Sequence, residues 1–298
     1  MPKTRAIGYS YFYPDDNYEQ MRLEIKRGLD PIYKHFDKIY AVDGRYINYE
    51  HPQNYSNDYA QKILSEYPNV VLDKVSPRMQ TFKRDRYLEL AGEDNIDWLI
   101  VWDTDDILHP NPKYQQWDLL FKNMERYAKK YPDYFIFKMK SWIPSSKIWK
   151  KAYNANASNQ WVPYIRIHKN PGMQRYCLYC HYWWCPRDAS DEDLIKQKRG
   201  MFISDHTIEG VRITTDSALR GYKQLKTRNR WAWNNICEEQ RRLYLMTQQV
   251  RYQNDWSNVP NWMRLDVDGF WRYDRKGRPT TKICEEDGTL VKGIVRYN

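Results

Sequence analysis

Three carboxylates stand within four residues at Asp103, Thr104, Asp105 and Asp106, directly after the apolar run from Trp98 to Trp102 in the segment DWLIVWDTDDILHP. Like charges at this spacing repel, and the repulsion raises their pKa unless a cation sits between them. Two readings follow. One is a solvated loop after a buried strand. The other is a divalent-metal site at the carboxyl end of a central strand, built by Asp103 and Asp105. Hard carboxylate oxygens suit Mg²⁺ or Mn²⁺, which keep positions open for phosphate oxygens. An ion held there could neutralise the charge that develops on a departing diphosphate.

The flanking sequence predicts how such a cluster would be carried. RAIGYSYFY (5–13) reads as a first strand, and Asn17 then caps a helix with Met21, Ile25 and Leu29 on one face. DKIYAVDG reads as a second strand ending at Asp43 and Gly44, NDYAQKILSEYP as a short helix stopped by Pro68, and NVVLDKV as a third strand. QTFKRDRYLELAG reads as a helix ending at Gly92, and DWLIVW as a fourth strand. Strand and helix in alternation predict a parallel sheet with crossover helices. Ligands bind beyond the carboxyl ends of such strands. Asp43 and the Asp103–Asp106 cluster both fall at such ends. Trp117, Leu120, Phe121, Met124 and Ala128 recur at helical spacing, and YFIFKMKSWIP and WVPYIRIHKN read as further strands around the polar loop AYNANASNQ. A long helix is expected over 216–247, with Arg220, Lys223, Lys226 and Arg230 on one face. The turn signals DRKG and EDG in the tail predict one or two hairpins. The expected division is therefore a sheet domain over 1–215 and a helix-and-hairpin extension over 216–298.

Bulk properties bound the class. A chain of 298 residues with 41% apolar content can bury a sizeable core, and its 13 Trp and 26 Tyr can also line sugar or base pockets. No stretch approaches the ~20 apolar residues of a membrane-crossing helix. The N-terminus lacks a signal-peptide apolar region, so a cytoplasmic protein is expected, in which the sequons NYS and NAS are chance matches. The net charge of +10 divides as +4 over the first 215 residues and +6 over the remainder. Such a surface favours polyanions such as nucleic acid, anionic membrane or acidic glycan. No GxGxxG, GxxxxGK[ST] or HExxH motif is present, which argues against a Rossmann dehydrogenase or a P-loop enzyme.

KIYAVDGRY, KRDRYLELAGEDNIDWLIVWDTDD and YIRIHKNPGMQRY together resemble the GT-A glycosyltransferases, especially the broad family-two type, over about residues 5–210. The resemblance implies a Rossmann-like, mostly parallel central sheet flanked by helices. It also implies transfer of a sugar from a nucleotide-diphosphate donor, with inversion, to an acceptor hydroxyl. It places Asp43 on the nucleotide base, and Asp103 and Asp105 on the metal and the diphosphate. Tyr11, Arg45, Lys83 and Arg86 join Asp43 and Asp103 as candidate donor-binding residues. The family often has Asn in the helix before its DxD strand. KRDR stands there instead, which leaves the roles of Lys83, Arg84 and Arg86 open between nucleotide contact and a solvated helix face. Relatives place a carboxylate base well after the DxD, for which Asp188, Asp191 and Glu209 are the candidates, and a late His on the metal, here His206.

CLYCH, with Cys177, Cys180, His181 and the nearby Cys185, formally matches a haem-attachment motif and could hold a structural zinc. Free thiols are the default in a cytosolic protein. Two acceptors remain open. The basic 216–247 helix, with NRWAWNN and GFWRYDRKGRP, has the mixture of cations and aromatic rings that grips phosphates and stacks bases. In size, solubility and charge the chain is similar to the subset of GT-A-like enzymes that glycosylate hydroxymethylated bases of phage DNA, chemistry that requires a flipped base. The alternative acceptor is a cell-surface glycan or a lipid-linked sugar. Outside the glycosyltransferases stand a nucleotidyltransferase, whose Gly-rich signature AIGYSYFYPDD lacks, and a non-catalytic nucleic-acid-binding protein, which would not need the DxD.

Overall fold

The computed structural model describes residues 3–14, 16–45, 52–76, 80–143, 160–176, 184–188, 203–215, 271–273 and 279–282. Three β/α steps and a fourth strand open the chain: β1 (Arg5–Tyr11), α1 (Tyr18–Leu29), β2 (Lys38–Asp43), α2 (Asp58–Leu64), β3 (Val70–Lys74), α3 (Gln80–Glu93) and β4 (Trp98–Asp103). There follow β5 (Asp106–Leu108), α4 (Trp117–Lys130), β6 (Ile136–Ile143), β7 (Gln160–Lys169), β8 (Gln174–Tyr176), β9 (Trp184–Pro186), β10 (Ile203–Thr207) and β11 (Ile213–Thr215). In the tail, β12 (Trp271–Tyr273) pairs antiparallel with β13 (Pro279–Lys282), a hairpin of the kind expected around DRKG. The expected 216–247 helix, with Arg220, Lys223, Lys226 and Arg230, lies outside the described residues, as do Cys177, Cys180, His181 and Asp191.

Among the described residues, nine strands form the main sheet, in the order β3-β2-β1-β4-β7-β6-β11-β5, with β10 also paired to β6. The β3-β2-β1-β4 block is parallel, while β7 runs antiparallel between β4 and β6. The sheet is therefore mostly parallel and flanked by helices, as the strand–helix alternation predicts. The short strands β5, β10 and β11 are additions that the sequence reading did not anticipate. Each is too short, or too mixed in composition, to show a period of its own.

The strand order decides where a ligand can sit. From β1 the chain winds outward through β2 to β3, then returns to place β4 on the other side of β1. The helices of the outward and return journeys cover opposite faces. Met21, Ile25 and Leu29 of α1 and Leu120 and Met124 of α4 pack with Trp98, Ile100 and Trp102 of β4. Tyr87, Leu88 and Ala91 of α3 pack with Leu99 and Val101 on the other side. Alternation along one buried strand thus feeds two cores. Asn17 caps α1 as expected, accepting a hydrogen bond from the Gln20 amide at 3.2 Å, a contact of the type worth ~1 kcal/mol.

Candidate active site

Continuing the alternation of β4, Asp103 follows Leu99 and Val101 onto the α3 face, and the main chain then turns through Thr104 and Asp105 into β5. Two hydrogen bonds fix the turn. The Asp103 amide donates to Asp106 Oδ2 at 2.8 Å, and the Trp102 indole donates to the Asp106 carbonyl at 3.0 Å. Asp105 and Asp106 are buried. The cations needed to offset this charge are two arginines. Arg84 donates to Asp103 Oδ1 at 2.6 Å, and Arg166 donates to Asp103 Oδ2 at 2.6 Å. Arg166 also reaches Asp106 Oδ1 at 3.1 Å. Arg84 and Arg166 are only 7% and 8% exposed, so neither contact is a screened surface pair.

Each arginine has a local structural reason to be there. Arg84, Tyr87, Leu88 and Ala91 recur at helical spacing, and the last three form the sheet-facing stripe of α3. Arg84 therefore extends that stripe to the helix's first turns, level with the end of β4. Arg166 sits at a β-bulge. Phe137 of β6 pairs with Ile167 and Lys138 pairs with Ile165, so Arg166 is the extra residue on β7. A bulge re-aims the side chain that it carries. Burial alone would lower the Arg166 guanidinium, but Asp106 and Asp103 outweigh it and hold it above its ordinary value. Burial raises the Asp106 carboxyl, Arg166 pulls it back, and Asp103 and Asp105 add to the rise.

The neighbouring strand ends are closed by a buried lysine. Lys83 Nζ donates to the carbonyls of Tyr11, at the end of β1, and of Gly44, just past β2, the latter at 2.8 Å. Gly44 has φ of +152°, and a Cβ there would lie 2.5 Å from the Val75 carbonyl, so only glycine fits. Burial pushes the Lys83 amine down to about 7, opposed by Asp43 and reinforced by Arg84. The Asp43 carboxylate takes the Ser56 amide at 2.9 Å and the Ser56 hydroxyl at 2.7 Å. Burial raises its pKa, which those Ser56 bonds and Lys83 counter.

The expected site residues thus separate into two groups. Tyr11, Asp43, Lys83, Asp103 and Asp105 lie at the ends of β1, β2 and β4. Within that group, Tyr11 is buried in a row of rings with Tyr9 and Tyr13, and it offers its carbonyl rather than its side chain. Asp43 is fully buried and holds Ser56, so it is not open to a base. Arg45 bonds Asn54 through its amide and its side chain.

The second group is engaged in other contacts. Arg86 turns outward from α3 to Asp73, Glu89 and Glu93 because it falls off the buried stripe. Glu209 is paired with Lys140 and Arg212. Asp188 is exposed beside Arg187, whose guanidinium bonds the Gly172 carbonyl near the start of β4. That is the opposite end of the sheet from Asp103. His206 stacks on Tyr131 at 4.2 Å, and β6 and β7 stand between its strand and β4.

The arrangement does not fit the divalent-ion site that the DxD implies. Both oxygens of Asp103 and both of Asp106 already take donors, Asp105 is buried, and His206 is remote. Among the described residues no three His, Cys, Asp or Glu side chains converge as a metal cage. Arg84 and Arg166 were absent from the expected donor-binding set. The signal for Arg84 was its place on the apolar stripe of α3. Arg166 lies in YIRIHK, where strand alternation alone presents it as an ordinary polar-face residue.

No family model and no curated protein matches the chain. Among solved structures it is similar to 4-diphosphocytidyl-2C-methyl-D-erythritol synthase from Anaerococcus prevotii, at 11% identity over 78% of this chain and 96% of that one, with a TM-score of 0.37. It is also similar to a nucleotide-diphospho-sugar transferase from Desulfovibrio desulfuricans, at 8% identity over 78% and 99%, with a TM-score of 0.35. A third is a cytidylyltransferase from Leptospira borgpetersenii, at 11% identity over 79% and 97%, with a TM-score of 0.31. At these scores the likeness carries no argument about activity. No helix among the described residues is long and apolar enough to cross a membrane.

Proposed function

We propose that the chain is a glycosyltransferase that moves a sugar from a nucleotide-diphosphate donor, with a UDP-sugar the first to test, to an acceptor hydroxyl. One observation supports the reading above all. The Asp103–Asp106 turn ends β4 directly beside the end of β1, where the sheet order reverses, and Ser10 pairs with Asp103 across that join. Open α/β sheets bind nucleotides in the crevice at such a reversal. The nucleoside lies over the ends of β1 and β2, which Lys83 holds together through the Tyr11 and Gly44 carbonyls. The sugar lies toward Asp103, whose side chain remains 24% exposed while its two arginines stand behind it. An ionised carboxylate so held accepts hydrogen bonds only, which suits sugar or ribose hydroxyls.

In the transfer, the acceptor oxygen bonds to the anomeric carbon as the carbon–oxygen bond to the diphosphate breaks. The nucleoside diphosphate leaves, and the acceptor proton passes to a base. Of the base candidates, Asp188 lies at the opposite end of the sheet and Glu209 is held by Lys140 and Arg212, so Asp191, outside the described residues, is the one to test first. The basic residues that favour a hydroxymethylated DNA acceptor, Arg220, Lys223, Lys226 and Arg230, also lie outside the described residues.

The test is a nucleotide-sugar panel, with and without hydroxymethylated duplex DNA or glycan acceptors, read as released nucleoside diphosphate. Release from one donor is expected, with Asp103→Asn slower by on the order of 100-fold. Pyrophosphate release would move the assignment to nucleotidyl transfer. Failure to bind any donor would end the transferase reading.

A further inference from the structure

We propose that Arg166 is a resident counter-ion, aimed by its β-bulge, that preforms the Asp103–Asp106 turn so that the turn works without a divalent ion. The proposal rests on the glycosyltransferase reading for the turn's purpose, but its physical content stands on the turn itself. Arg166 presents two separate nitrogens to two carboxylates, one to Asp103 at 2.6 Å and one to Asp106 at 3.0 Å. A guanidinium suits this task because its donors are fixed in a planar fork, whereas an ammonium is a single point charge. Arg84 closes the other side of Asp103 at 2.6 Å.

The contact is bought with local order that has no other evident return. The strand must bulge at Arg166, and its buried Nε has no hydrogen-bond partner among the described residues. A side chain placed only to fill the core would not leave a buried donor unmet while directing its other nitrogens at two acids. The two guanidiniums already supply positive charge where a dication would sit, and a dication entering the turn would face them at close range. Arg166 touches neither donor nor acceptor in this scheme. It is a positioning residue that sets the direction of Asp103.

The test uses the full-length protein with Mn²⁺ alone as the first probe, followed by electron paramagnetic resonance. Wild type is expected to hold Mn²⁺ only weakly at the turn. Arg166→Met is expected to bind it at least about tenfold tighter, because a charge a few ångströms from the ion has been removed. Arg166→Lys keeps the charge, should stay weak, and serves if the Met variant does not fold. The second measurement is nucleotide-sugar affinity by calorimetry, in EDTA and in Mn²⁺. Wild type should bind equally in both. Arg166→Met should lose about tenfold or more in EDTA and recover in Mn²⁺, as substitutions behind a ligating side chain commonly cost 10–100-fold. Tight Mn²⁺ binding by wild type, donor binding that requires Mn²⁺, or a folded Arg166→Met with unchanged Mn²⁺ and donor affinities would each overturn the proposal. If no nucleotide sugar binds under any condition, the glycosyltransferase reading fails, while the Mn²⁺ titration still decides the role of Arg166.

Discussion

β4 has an aspartate at each end, and the two are treated in opposite ways. Asp97, just before the strand, takes Lys3 Nζ at 2.7 Å and the amide and hydroxyl of Thr4. Lys3 is half exposed, so that ion pair is bathed in solvent. Nearby, Arg187 and Glu89 also form a partly exposed pair, and both line the cleft at that end, of about 520 Å³, together with Asp97, Ile96 and Met173. What joins the elements there is backbone packing: Gly92 of α3 lies against Gly172 so closely that a Cβ on Gly92 would sit 2.6 Å from the Gly172 Cα. At the other end, Asp103 and Asp106 meet Arg84 and Arg166 inside the protein. Exposed pairs are individually worth about 0–1 kcal/mol and cost little to keep. Buried pairs must overcome a desolvation penalty and often stabilise no better than apolar residues would. A fold seeking stability alone could have filled the end of β4 with apolar side chains. The buried charges stand at the end where the proposed function places the donor.

Breaking the buried network should produce the largest effect. Asp106→Ala leaves Arg166 with half of its carboxylate partners and removes the acceptor of the Asp103 amide. Loss of about 3–5 kcal/mol is expected, the range for removing one member of a buried pair. Urea denaturation measures it, and a loss below 1 kcal/mol would make this end no different from the other.

Lys83 sharpens the contrast through pH. Its pKa is near 7 in the folded protein and 10.5 is the ordinary value. Between those pH values the unfolded chain binds more protons than the folded one, so this group makes stability rise with pH. The slope should reach at most about 1.4 kcal/mol per pH unit. Comparing wild type with Lys83→Met from pH 7 to 10 isolates it. Parallel stability curves for the two proteins would remove Lys83 from the buried charges of the site.

The smallest change is expected at the start of β4. Lys3→Ala should cost no more than about 1 kcal/mol, and less in high salt, since both partners are solvated. A larger, salt-insensitive loss would erase the distinction between the two ends.

Much of this was written in local sequence. The unbroken apolar run of β4 marks a strand buried on both faces, and the spacing of apolar residues in α1 and α4 specifies helices and their buried face, because such patterns depend only on near neighbours. The succession of strands and helices implied a parallel sheet, and the abrupt end of the WLIVW run at Asp103 placed carboxylates on its rim. The same local view misjudged what the carboxylates would meet. It supplied a metal, with His206 as a ligand and Arg86 at the donor, where the tertiary structure uses Arg84 and Arg166.

The sequence by itself determined that a cluster of negative charge would stand at the end of a buried strand and would need compensation. Only the tertiary structure decided by what. Arg84 lies 19 residues before Asp103 and Arg166 lies 63 after it. The first reaches it because α3 crosses the face of the sheet onto which Asp103 turns, and the second because β7 inserts beside β4 and bulges at one residue. Strand order and a bulge are properties of chain segments meeting at long range, and no periodicity within either segment encodes them.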